Sequence, residues 1–180
     1  MENIEIDVLK EGVNGITPAL GSYMGECAVV CFSSQGHKAG IQLKVITELE
    51  KDHNDFFSMQ WANDLRADEL KSHKDENRTT DFGSMAVAIL LTLKLTGFTS
   101  FETSNTGTGI DFWLSNDDDE LNFFGARLEV SGIRKATQTN SLDRRVKVKL
   151  DQASKSDDTS LPAYIAVIEF NKPESAFIKK

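Results

Sequence analysis

Apolar side chains recur along the chain with two different periods, and the switches between them mark out the elements. Leu20, Met24, Cys27, Ala28, Cys31 and Phe32 fall at spacings of three and four, forming one broad stripe of a helix. Thr17 ahead of Pro18 supplies a capping hydroxyl with proline at the first helical position, and Gly36 supplies a stop, so a helix is expected over 18–34. Residues 39–47 (AGIQLKVIT) and 55–61 (DFFSMQW) alternate or cluster as strands do, and the polar run between them predicts a hairpin. The segment 62–78 is almost wholly polar, with only Leu65 and Leu70 as large aliphatic anchors, which fits a solvated helix or a connector. A second helix is expected over 81–96, capped by Thr79 or Thr80 and ended by Gly97. Its residues Phe82, Met85, Ile89, Leu90 and Leu93 leave little polar face, so it should be covered on most sides.

Downstream the period shortens to two. Strands are expected over 98–104, 110–114 and 123–133, joined by the Gly107-Thr108-Gly109 turn and the acidic turn NDDDE at 116–120. A polar-faced helix over 142–154 and a last strand over 163–170 complete the series. Three consecutive strands can form a meander, and the long helix before the last one allows a crossover. The fold class this predicts is α/β (α+β): a mixed, four- to six-stranded sheet flanked by helices, with an N-terminal helix and hairpin. The 180 residues suit a single domain, with 1–78 holding the helix, hairpin and polar connector and 79–180 the core. No internal repeat or low-complexity segment is visible.

Composition narrows the function classes. Hydrophobic residues at 39% and charged residues at 27%, with 3 Pro and 12 Gly, exclude a disordered or collagen-like chain. The formal net charge is −8, which argues against broad phosphate binding; a nucleic-acid role would need a locally basic cleft inside an acidic shell. The N-terminus is charged from its second residue and carries no signal-like apolar run. The longest apolar stretch, Met85 to Leu95, is broken by Thr92 and Lys94 and falls well short of the about 20 residues that cross a bilayer. Cys27 and Cys31, one helical turn apart, cannot staple a fold of this size, so a reducing, cytoplasmic setting and no membrane partner are expected.

Period two also sorts the side chains that could carry chemistry. On the second strand of the meander Ile110, Phe112 and Leu114 share one face and Asp111 and Trp113 the other; on the third, Arg127, Glu129 and Ser131 oppose Ala126, Leu128 and Val130. If the two strands are neighbours, Asp111 and Glu129 project side by side. Carboxylates that close repel, and a buried pair persists only with a cation, a shared proton or hydrogen-bond donors between them. Mg²⁺ or Mn²⁺ is one solution, and it suits phosphodiester hydrolysis.

With Asp111 in GIDFW on the second strand and Glu129 in LEVS on the third, residues 80–170 resemble the core of the PD-(D/E)XK nuclease superfamily, whose restriction-endonuclease-like order is αβββαβ. The resemblance implies that Asp111 and Glu129 bind metal, and that an acidic residue on the preceding helix joins them, a place matched by Asp81 in TTDFG. In the family a lysine two residues after the second acid helps activate water; here that position holds Ser131. Some members are similar in having the basic residue displaced onto the helix after the third strand. That helix offers Arg145, Lys149 and Gln152 on one face, a quarter turn from the stripe Leu142, Val146, Leu150 and Ala153. The resemblance then assigns catalysis to Asp111, Glu129 and Lys149, with Arg145, Gln152 and Arg127 toward substrate.

Plainer roles compete at each position. Asp111 beside a turn can be a turn cap, Glu129 can be one half of a salt bridge with Arg127 or another basic neighbour, and Trp113 can cover a sheet face rather than stack on a base. Asp117 to Glu120 lack the glycine and spacing of a calcium loop and read as a solvated turn. Cys27 and Cys31 lack a partner pair, and with His37, His53 and His73 scattered they read as core rather than as a zinc site. The functions left are a metal-dependent nuclease acting on DNA, in a defence or DNA-processing system; a catalytically silent subunit of that fold, binding nucleic acid, a protein partner or a second copy; and an acidic inhibitor or immunity protein.

Overall fold

The computed structural model describes residues 1–49, 52–116 and 124–180, with the side chains of 52–54 left aside. Its strands are β1 (Glu2–Glu5), β2 (Ile41–Glu48), β3 (Asp52–Gln60), β4 (Ser100–Thr103), β5 (Phe112–Ser115), β6 (Ala126–Ile133), β7 (Ala163–Glu169) and β8 (Glu174–Lys179). Its helices are α1 (Pro18–Ser34), α2 (Glu76–Leu95) and α3 (Leu142–Ala153), with short 3₁₀ turns at Ile6–Glu11, Glu69–His73 and Ser154–Thr159. All eight strands form one mixed sheet in the order β1-β3-β2-β8-β7-β6-β5-β4. The mixed, helix-flanked class is as the sequence predicts, and the sheet is wider than the four to six strands expected.

The extra width has a local cause. β8, which the sequence pattern does not announce, lies between β2 and β7, parallel to β2 and antiparallel to β7, so the N-terminal hairpin and the C-terminal half share one continuous sheet. β4, β5 and β6 form the expected antiparallel meander, while β6 and β7 run parallel, a pairing that needs a crossover. The α3 helix supplies it.

Each face of the sheet has its own helical cover. Leu128 and Val130 of β6 join Ala166, Ile168 and Phe177 under α1 and α2, in a core that holds Phe32, Phe101, Phe112 and Phe170 with no more than 1% of their surface exposed. Burying each such ring stabilises the fold by about 1.5–3 kcal/mol. The opposite residues Ile133, Ala163, Ile165, Val167 and Ile178 pack against Leu142 and Ala153 of α3. Thr17 caps α1 as expected, accepting from the Leu20 N–H at 3.3 Å.

The start of α2 differs from expectation. The helix begins at Glu76, where the Asp75 carboxylate accepts from the Arg78 N–H at 3.1 Å, so Thr79 and Thr80 are interior residues rather than caps. Their hydroxyls donate back to the Asp75 and Glu76 carbonyls at 2.8 and 2.7 Å. A polar first turn is tolerated there because Glu76, Asn77 and Arg78 face solvent. From Ala86 to Leu91 the same helix is almost completely buried.

Candidate active site

The ladder between β5 and β6 ends at Phe112 opposite Leu128, so beyond that point the outer edge of β6 has no strand beside it. Asp111 stands at this break. Its N–H still donates to the Leu128 carbonyl at 2.9 Å, while its carboxylate bends onto the open edge and accepts from the Val130 N–H at 2.8 Å. The side chain thus replaces the missing backbone acceptor on the edge of β6 rather than capping the turn at 107–109, and Asp111 borders the cleft beside β6.

Glu129 lies on the α3 side of β6 and is 1% exposed. Its salt-bridge partner is Lys149 rather than Arg127: Lys149 Nζ donates to Glu129 Oε1 at 2.5 Å and to Gln152 Oε1 at 3.2 Å. The geometry follows from the α3 pattern. Leu142, Val146, Leu150 and Ala153 hold the helix on the sheet, and Lys149, off that stripe, reaches Glu129 of β6 and lines the cleft. Glu129 Oε2 is buried with no donor facing it among the described residues, and the Glu129 carboxyl lies within hydrogen-bonding reach of the Asp111 carboxyl. Burial and the neighbouring Asp111 carboxylate together push the Glu129 pKa up to about 7, against the pull of Lys149. The two acids therefore converge, as the strand pattern requires.

Asp81 approaches from the other face of the sheet, on α2. It is exposed at the rim, and the protein packed around its carboxyl raises its pKa, with Lys149 opposing the shift and Asp111 adding to it. A glycine makes this approach feasible. A Cβ on Gly132 of β6 would lie 2.7 Å from Thr80 Cγ2 and 2.8 Å from the Thr80 carbonyl, so only glycine lets this turn of α2 rest on the strand. Asp81, Ser84, Asp111, Ser131, Arg145 and Lys149 line the resulting cavity of about 220 Å³. Among the described residues, no three His, Cys, Asp or Glu side chains are grouped closely enough to enclose a metal. The donor set present is a converging pair, Asp111 and Glu129, with a third acid at the rim.

The remaining expected substrate residues divide. Gln152 orients Lys149, and Arg145 lines the cleft while its guanidinium donates to Asn140 Oδ1 at 3.1 and 2.6 Å. Arg127 does not reach the cleft. It is 3% exposed and donates to the carbonyls of Leu161 and Ala153 and to the Asp157 carboxylate, tying the end of α3 and the loop beyond it to β6. Trp113 stacks on Phe124 with ring centroids 5.2 Å apart and packs on the α3 side of the sheet. The acidic residues Asp117 to Glu120 lie outside the described residues, as does the side chain of His53.

The thiols sit elsewhere. Cys27 Sγ lies 3.6 Å from His73 Nδ1, whereas Cys31 Sγ faces the Thr79 carbonyl and accepts from Arg134, and His37 contacts the Asn171 carbonyl. Both cysteines are free and fully buried between α1 and α2, and burial pushes their pKa values up to about 12 and about 11.

One surface feature runs against the overall charge. The segment 134–155 holds seven basic residues and two acidic ones, in a chain whose formal net charge is −8. Lys135, Arg144, Lys147 and Lys155 are exposed, Arg144 and Lys147 on the solvent face of α3, whereas Arg145 and Lys149 face the cleft. Asp143 and Asp151 are exposed among them, so the solvent face of α3 mixes both signs of charge.

No family model matches the chain, and no curated protein and no solved structure is significantly similar to it. No helix among the described residues is long and apolar enough to cross a membrane.

Proposed function

We propose that the chain is a metal-dependent, PD-(D/E)XK-like nuclease that hydrolyses DNA phosphodiesters at the open edge of β6. The observation that carries the proposal is the meeting of Asp111, Glu129 and Lys149. The amine that the strand motif lacks at Ser131 is supplied from α3, 2.5 Å from the buried Glu129 carboxylate. Asp111 and Glu129 would hold one Mg²⁺ or Mn²⁺, because such an ion takes one or two carboxylates and completes its shell with water and substrate phosphate. The buried Glu129 Oε2, which no donor faces among the described residues, is the atom most in need of such a ligand. A bound divalent ion would supply Lewis acidity and lower the pKa of an attacking water.

The residues of the chain would do the rest. Lys149, positioned by Gln152, would place positive charge beside the attacked phosphate and hold a water by its remaining donors. Arg145 would take a phosphate oxygen at the rim. The test is cleavage of single-stranded and duplex DNA in Mg²⁺ or Mn²⁺. Wild type should cut; Asp111→Asn, Glu129→Gln and Lys149→Met should each lose at least about a hundredfold in rate. Cutting unchanged in these variants rejects the site.

A silent nuclease-fold subunit is the second reading, and one observation favours it. The Lys149–Glu129 pair is also a complete buried ion pair, which can serve structure alone. Isothermal titration decides between them: Mg²⁺ or Mn²⁺ binding that vanishes in Glu129→Gln supports the enzyme, and no binding supports the subunit.

A further inference from the structure

A second cavity, of about 380 Å³, opens directly beside the acid pair, and its volume falls within the range of small-molecule sites, about 300–1,000 Å³. Asp111, Glu129 and Gln152 form one end of it. Leu20 of α1, Phe82 and Met85 of α2 and most of the loop 103–110 line the rest. The Phe82 ring is braced edge-on by Tyr23, with centroids 5.1 Å apart, and Tyr23 in turn stacks on His73. The loop is held as well. Ser104 and Thr108 share a hydroxyl hydrogen bond of 2.7 Å, and Ser156 donates to the Thr108 carbonyl. Gly109 permits the tight fit, since its φ is +79° and a Cβ there would lie 2.3 Å from the Gln152 carbonyl.

Asp111 and Met85 border both cavities: the larger one carries the Phe82 ring and the Glu129 carboxylate in its lining, and the smaller one carries Arg145 and Lys149. A nucleotide has a planar base at one end and a phosphate at the other. We propose that the groove seats one unpaired nucleobase, stacked against Phe82, of a nucleotide whose phosphate lies at the acid pair. The preferred substrate is then a single strand or a frayed end rather than intact duplex. This rests on the nuclease reading for the position of the phosphate. A base held in a duplex has both faces stacked and would have to be extruded to enter, a cost that a single strand does not bear.

The test is fluorescence anisotropy with a labelled single-stranded phosphorothioate 12-mer and its duplex, in Mg²⁺ and with a backbone chosen to resist cutting, on wild type, Phe82→Ala and Phe82→Leu. Leucine keeps the apolar contact with Tyr23 while removing the ring, so it stays informative if alanine fails to fold. The single strand should bind wild type at least tenfold more tightly than the duplex. Phe82→Leu should weaken the single strand at least about fivefold and leave the duplex unchanged, as loss of one stacked base requires. Equal affinity for the two probes, no binding of either, or a Phe82→Leu variant that binds like wild type overturns the inference. Cleavage in Mg²⁺, run in parallel, separates the two proposals. Asp111-dependent cutting of duplex as fast as single strand keeps the nuclease and removes the base pocket; Phe82-dependent binding with no cutting keeps the pocket and removes the nuclease.

Discussion

Glu129→Gln should remove most of the pH dependence of stability between pH 5 and pH 8, and the size of the effect follows from the burial of one carboxyl. In the unfolded chain Glu129 titrates near its ordinary 4.5, and in the fold burial and Asp111 push it to about 7. Below the lower value both states hold the proton and the group is neutral in the balance. Between the two values the unfolded chain gives up its proton while the native state keeps it, so stability falls as pH rises. Above about pH 7 both are ionised and the full penalty stands, about 3 kcal/mol for this separation. Urea titrations across this range should show wild type losing about 2–3 kcal/mol relative to Glu129→Gln, or about 4–12 °C in Tm for a chain of this length. The linkage slope counts only protons bound, so the lost bond to Lys149 displaces the variant's curve without giving it that slope. Parallel curves for the two proteins would refute the buried, Asp111-coupled carboxyl. Saturating Mg²⁺ gives a second arm: an ion that binds the ionised pair displaces the proton, so it should raise wild-type stability and leave Glu129→Gln unchanged.

Three further outcomes follow from the same contacts. Lys149→Met leaves Glu129 buried without its cation, a loss of about 3–5 kcal/mol for a broken buried pair, and because the carboxyl can escape by holding its proton, denaturation should show a smaller loss at pH 5 than at pH 8. Arg127→Ala strips the Leu161 and Ala153 carbonyls of their buried donor and should cost about 2–4 kcal/mol by thermal or urea unfolding, while the Glu129-linked pH slope persists. With pKa values near 12 and 11 and no exposed surface, Cys27 and Cys31 should resist iodoacetamide at pH 7.5 in the native state and both react once unfolded, as counted by mass spectrometry.

What the sequence discloses and what it hides have the same physical root. Period two is a local property, so the faces of Asp111 and Glu129 could be read from GIDFW and LEVS, while their side-by-side placement waits on the pairing of β5 with β6. That Lys149 lies off the stripe of α3 is equally local. Its 2.5 Å approach to Glu129 is not, because it depends on β6 and β7 being parallel, so that the crossover helix lies across the strand carrying the acid. Polar residues conceal β8: Glu174 and Ser175 open a strand that is nevertheless buried, made tolerable by Lys44, 3.0 Å from Glu174. The four residues of β1 are too few to show an alternation. Arg127 is the instructive miss. Period two places it correctly on the Glu129 side of β6, yet a face alone does not say which neighbour covers it, and here the turn after α3 takes all of its bonds.

Asp81 shows how far one residue type can carry such an inference. As a side chain it is an exposed acid near the start of a helix, marked only by the family resemblance and not by any local pattern. Its place in the cleft is decided two strands away in the chain, by Gly132 in a run that is otherwise strand-forming, LEVSGI. A glycine inside a strand weakens it unless another backbone must come close, and here Thr80 does, bringing Asp81 to the edge of β6. Any side chain at 132 would force α2 away from the strand and open the Asp81 side of the cleft, while leaving Asp111, Glu129 and Lys149 on the sheet and α3. The two halves of the site are therefore held by independent devices: an ion pair on the α3 side, and the absence of a methyl group on the other.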